Sequence, residues 1–139
     1  MLKDSLYYGK ILLFGEYGII QDSMGLSIPY TDFNGKLLFQ QERNESTTSS
    51  NNQLKSFYKH LKKLDIDNSL PCHLNLENFK SDLDSGLYFD SSIPQGFGIG
   101  SSGAIVAAIY DKYCEKNKVQ SADNISNEDI LRLKLIFGE

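Results

Sequence analysis

The sequence predicts an α+β fold, and three observations carry that reading. Extended, strand-like runs dominate the amino-terminal third, with residues 5–14 and 36–41 the clearest. A helix-period pattern follows, in which Leu54, Phe57, Tyr58, Leu61 and Leu64 recur on one face. A glycine-rich string at residues 93–103 then leads directly into an apolar, alanine-rich run.

Residues 5–14 (Ser-Leu-Tyr-Tyr-Gly-Lys-Ile-Leu-Leu-Phe) read as a strand in which Gly9 marks a bulge or a close approach. Gly15-Glu16-Tyr17-Gly18 breaks the run, Ile19 and Ile20 resume it, and residues 21–25 are turn-like. Residues 26–30 form a short extended piece, Asp32-Phe33-Asn34-Gly35 carries turn chemistry, and residues 36–41 are a strand. The opening is therefore a β-meander, with short loops around Gly9-Lys10 and Gly15-Glu16 facing a pocket.

Residues 44–52 (Asn-Glu-Ser-Thr-Thr-Ser-Ser-Asn-Asn) are polar and low in complexity, which predicts a mobile surface loop. The helix over 54–64 covers a sheet, and Lys55, Lys59, Lys62 and Lys63 form its solvated face. Residues 72–77 (Cys-His-Leu-Asn-Leu-Glu) alternate as a half-buried strand, and residues 86–90 form another. In the run after the glycines, Ala104, Ala107 and Ala108 let a helix lie close to its neighbours. Ser126-Asn-Glu-Asp129 resembles a capping box with a shorter acid and opens a last helix through residues 130–137.

A length of 139 residues suits one domain with a real core. The balance of 14 basic against 18 acidic residues gives a net charge of −4 with no long basic run, which argues against a nucleic-acid groove. It leaves room for a nucleotide pocket, which needs only local positive charge. The apolar runs are too short to cross a bilayer and the amino end has no apolar signal core, so the reading is a cytoplasmic protein. Cys72 and Cys114 fit free thiols in a reducing compartment, and His60 and His73 have no metal-ligand spacing.

The chemistry concentrates in Ile93-Pro-Gln-Gly-Phe-Gly-Ile-Gly-Ser-Ser-Gly-Ala104. Gly96, Gly98, Gly100 and Gly103 permit strained or left-handed backbone and close approach of a ligand. Ser101 or Ser102 would supply the N-cap of the helix that follows. Free N–H groups and the positive end of the helix dipole suit a phosphate there. A loop that merely caps a buried helix explains one glycine and leaves the other three without a reason. The P-loop is excluded because Ser101, not lysine, follows Gly100. A dinucleotide fingerprint fits Gly98-x-Gly100-x-x-Gly103 literally, but Asp90-Ser-Ser-Ile-Pro-Gln stands where its buried strand is needed. The protein-kinase loop requires a lysine-bearing strand where this chain has an alanine-rich helix.

The complete string Pro94-x-Gly96-x-Gly98-Ile99-Gly100-Ser101-Ser102-Gly103 resembles the ATP-binding motif of the GHMP kinases, which include galactokinase, homoserine kinase, mevalonate kinase and phosphomevalonate kinase. Ile99 replaces the usual Leu and Gly103 the usual Ala. A second segment, Gly9-Lys10-Ile-Leu-Leu-Phe-Gly15-Glu16-Tyr17, resembles the amino-terminal motif of the mevalonate kinase branch. Tyr17 stands where that branch has His; a phenol still donates a hydrogen bond but rarely changes charge near neutral pH.

The resemblance implies a two-layer sandwich of the ribosomal protein S5 domain 2 type and phosphoryl transfer from Mg·ATP to a small-molecule alcohol, mevalonate-like. It implies that the backbone of Pro94, Gly96, Gly98, Ile99, Gly100, Ser101, Ser102 and Gly103 cradles the phosphates. Ser102 would also ligate Mg²⁺ or a phosphate oxygen, Lys10 would stabilise charge at the acceptor hydroxyl, and Glu16 with Tyr17 would form the substrate-side wall. Read without the motif, Lys10 fits a surface lysine and Glu16 a turn residue. The family carries a metal-binding Glu, a catalytic Asp and a second domain downstream. The expectation is therefore that residues 1–139 are the ATP-binding amino-terminal domain, cut before the carboxy-terminal one, with Glu139 at or beside the metal-binding position. Two other readings of the same residues are a nucleotide-binding sensor without catalysis and a structural domain whose glycines serve packing.

Overall fold

In the computed structural model, which describes residues 5–14, 25–70 and 72–115, one long strand joins the sheet together. The order is β1 (Tyr7–Phe14), β2 (Leu26–Phe39), α1 (Glu45–Ile66), α2 (Leu76–Asp84), β3 (Leu87–Ser91) and α3 (Ser101–Tyr113). The three strands form an antiparallel sheet in the order β1-β2-β3. Alternation along β2 and β3 buries Leu37, Leu87 and Phe89, while Asp90 stays exposed. Against that sheet α1 and α2 pack on β3, and α3 packs on β1 and β2. Phe79, Leu54, Leu61, Leu83, Leu87 and Ile109 are the largest fully buried side chains, so all three helices and β3 share one core. No helix among the described residues is long and apolar enough to cross a membrane.

Three stretches differ from the sequence expectations. The turn expected at Asp32–Gly35 is absent, because β2 runs unbroken through it. The turn-type residues are absorbed by an irregular register: Tyr8 pairs with Asn34 but Gly9 pairs with Tyr30, leaving residues 31–33 extra on β2. Asn34 is held by Ser92, whose N–H donates to the Asn34 carbonyl at 2.9 Å while its Oγ accepts the Asn34 N–H at 3.1 Å. Gly35 serves packing, since a Cβ there would overlap the Phe89 ring.

The polar tract at 44–52 is helix from Glu45 onward, not a loop. Asn44 caps it: its Oδ1 accepts the Thr47 N–H at 2.8 Å and Thr47 Oγ1 accepts the Asn44 N–H at 3.3 Å. The polar residues inside it find distant partners. Ser50 Oγ donates to the Phe89 carbonyl at 2.9 Å and accepts the Phe89 N–H at 3.0 Å. Buried Asn51 donates from Nδ2 to the carbonyls of Leu83 and Leu87 at 3.1 and 2.6 Å. On the rest of α1 the expected pattern holds for the buried Leu54, Phe57 and Leu61 and the exposed Lys59, Lys62 and Lys63, but Lys55, expected on the solvated face, is half-buried.

The alternation at 72–77 ends in helix α2 instead of a strand. Leu74 makes one isolated bridge to Cys114, and Asn75 then caps α2 by accepting the Asn78 N–H at 3.0 Å. Phe79 and Leu83 continue a helical, not an alternating, apolar face. The strand expected at 86–90 is β3, the alanine-rich run is α3, and neither cysteine is in a disulfide. The helix expected at 130–137 lies outside the described residues.

Candidate functional site

Two anchors hold the glycine string. At its start Ser92 is tied to Asn34, the Ile93 N–H donates to Ser91 Oγ at 3.1 Å, and the Ile93 side chain is buried. At its end α3 is fixed by buried Ala104, Val106, Ala108 and Ile109. Between the anchors Gly96, Gly98 and Gly100 all have left-handed backbone, with φ of 80°, 68° and 81°. A side chain would be strained at each of them. Among the described residues no neighbouring atom stands within 4 Å of where a Cβ would lie on Gly96 or Gly98.

The helix begins at Gly100 without a side-chain cap, which corrects the expectation that Ser101 or Ser102 is the N-cap. The left-handed glycine turns the chain into the helix by itself, and both serines fall within the first turn. The first helical bond runs from the Ala104 N–H to the Gly100 carbonyl at 3.1 Å. The N–H groups of Ser101, Ser102 and Gly103 therefore lie ahead of it as helix-end donors. Ser102 Oγ is buried and has no hydrogen-bond partner among the described residues.

Lys10 reaches this site from β1. Its N–H donates to the Ile99 carbonyl at 2.8 Å. Its side chain lies along Gly100: a Cβ on that glycine would stand 2.9 Å from Lys10 Cγ and 3.4 Å from Lys10 Cε. Gly9 admits the contact, since a Cβ there would lie 3.0 Å from Ile99 Cγ2 and 3.1 Å from the Ile99 carbonyl oxygen. The expected loop at Gly9-Lys10 is thus a strand segment that touches the glycine string edge-on. A second tie joins β1 to α3, where the Tyr7 hydroxyl donates to Asp111 at 3.0 Å. Burial, reinforced by that bond to Asp111, pushes the Tyr7 phenol up to about 12.

Beside the start of α3 runs a groove of about 510 Å³, lined among others by Asn44, Thr47, Gln53, Tyr88, Gln95 and Ser101. Sequence reading missed this wall because it took residues 44–52 for a loop. Its one legible signal was Asn44 followed three places on by Thr47, a cap that went unread. Phe97, between Gly96 and Gly98, is 77% exposed.

The donor set suits a polyphosphate: backbone N–H groups at a helix start, an unpartnered hydroxyl and one lysine. For Mg²⁺ the described residues offer the Ser102 hydroxyl, and they contain no cluster of three metal-ligating side chains. Glu16, Tyr17 and Glu139 lie outside the described residues. A family model described as the GHMP kinases N terminal domain matches residues 52–139, more than half of the chain. The matched span contains the glycine string and leaves Lys10 outside it. No curated protein and no solved structure matches the chain.

Proposed function

The chain belongs to the GHMP kinase family through its N-terminal domain, and on that premise we propose that it is the ATP-binding part of a cytoplasmic kinase that phosphorylates a small alcohol, mevalonate-like. The observation that supports this reading most directly is the contact of Lys10 with Gly100 at the head of α3, beside the buried, unpartnered Ser102 hydroxyl. We read the domain as the S5-like sandwich of that family, followed by a second domain that closes the cleft.

Bound Mg·ATP would supply the transferable phosphoryl group and the metal's neutralising charge. The rest of the work is positioning and electrostatics. In this reading the N–H groups between Gly96 and Gly103 hold the phosphate oxygens, with Pro94 and Ile99 fixing the loop that carries them. Ser102 Oγ donates to a phosphate oxygen or offers a lone pair to Mg²⁺. Lys10 neutralises charge as the acceptor oxygen attacks. Glu16 and Tyr17 keep the substrate-side role, and Glu139 the metal-side role, that the motif resemblance gives them.

The test is a kinase assay of the complete gene product with Mg·ATP and a panel of small alcohols that includes mevalonate. Lys10→Met should lower the rate by about 10²-fold or more, the size of a lost transition-state contact. A near-wild-type rate in that variant would overturn the assignment. Nucleotide binding with no alcohol accepted would make the protein a sensor.

A further inference from the structure

The contact between β1 and the glycine string has a consequence for Lys10 itself. Ile99 meets β1 at two points, through its carbonyl on the Lys10 N–H and through its γ-methyl against Gly9. The two points sit on consecutive residues of β1, so together they fix both the height and the twist of the strand at Lys10. The register irregularity falls at the same place, between Tyr8 and Gly9, where β1 departs from regular pairing with β2. From Gly9 to Leu12 the pairing is regular again, with Lys10 opposite Pro29, and the Ile99 contact adds a further constraint on β1 at Lys10, just past the irregularity.

We propose that Ile99, seated on the bare backbone of Gly9, is the positioning residue that holds the Lys10 ammonium over the start of α3. This rests on the reading of that helix start as a polyphosphate site. Ile99 needs no contact with the ligand to act; it works through Lys10. A Cβ on Gly9 would press on Ile99 at two points, 3.0 Å from its Cγ2 and 3.1 Å from its carbonyl oxygen, so Ile99 would have to give by a few tenths of an ångström. The loop would then have to move away from the lysine.

The experiment is calorimetric titration of the full chain with inorganic tripolyphosphate. Gly9→Ala and Lys10→Met should each weaken binding about tenfold, the worth of one charge-assisted contact. The double variant should bind no more weakly than Lys10→Met alone, because displacing an absent lysine has no further effect. A purely structural role for Gly9 would instead add its loss to that of Lys10. Ile99→Ala, which introduces no clash, serves as the second variant should Gly9→Ala lose its circular-dichroism signal; it too should be non-additive with Lys10→Met. Additive losses, or wild-type affinity in Gly9→Ala and Ile99→Ala, would overturn this inference alone. Failure of the unmodified chain to bind tripolyphosphate would overturn the phosphate site and this inference with it.

Discussion

Ser102 shows how one hydroxyl can serve binding at the cost of stability. Its Oγ is buried without a partner among the described residues, and an unsatisfied buried polar group costs about 1–3 kcal/mol. Ser102→Ala should therefore raise the melting temperature of the ligand-free chain while weakening its hold on Mg·ATP or tripolyphosphate. Thermal denaturation with and without ligand reads both effects, and a variant that lost stability without losing affinity would contradict the role. Asn51 is the opposite case, since its Nδ2 holds two carbonyls and leaves neither idle. Asn51 sits in a serine–asparagine tract and Ser102 in a glycine-rich string, and neither composition says whether the polar side chain finds a partner. What separates them is where the folded chain brings a carbonyl within reach.

At the scale of elements, α1 is the instructive piece. Its apolar face from Leu54 to Leu61 was legible because three buried residues recur at helical spacing. Its first two turns were not, because their serines and asparagines have weak helical preference and no apolar stripe. The capping box and the bonds from Ser50 and Asn51 to the α2–β3 region offset that weakness. Asn44→Ala should cost about 1 kcal/mol of stability by removing the cap. The loss should appear in chemical denaturation as a lower midpoint with an unchanged slope, and an unaltered midpoint would show that the tertiary bonds alone hold the helix start. α3 contrasts with α1, for its alanine content and leading glycines identified it directly. Only its cap was misassigned, since a left-handed glycine left the serines nothing to cap.

For the molecule as a whole, the ties between β1 and α3 govern whether the site stays assembled. Tyr7 and Asp111 lie far apart in sequence yet hydrogen-bond at 3.0 Å, on the same strand that carries Lys10. The Tyr7 phenol ionises near 10.0 in an unfolded chain and at about 12 in the fold. The folded state therefore holds this proton more tightly. Its contribution is intact below pH 10 and is lost as pH rises from 10 towards 12. Tyr113, raised chiefly by burial and then by its bond to Asp82, should extend the loss to still higher pH. Denaturation midpoints measured from pH 8 to 12 should stay level and then fall, and Tyr7→Phe should make the early part of the fall shallower. A fall of equal steepness in that variant would rule out Tyr7 as its source.

The sequence by itself determined the α+β class, the helix after the glycine string, the strand before it and the two motifs that resemble a kinase. These features are written in local signals: apolar period, glycine placement and short strings. Only the tertiary structure decided that β2 runs through its turn-like residues, that a serine–asparagine tract is helix, and that Lys10 lies along Gly100. Each of these depends on a partner distant in sequence, namely Ser92 for Asn34, Leu83 and Leu87 for Asn51, and Ile99 for Gly9. Such partners contribute free energy only once the chain has brought them together, so no window of sequence around either one records the outcome.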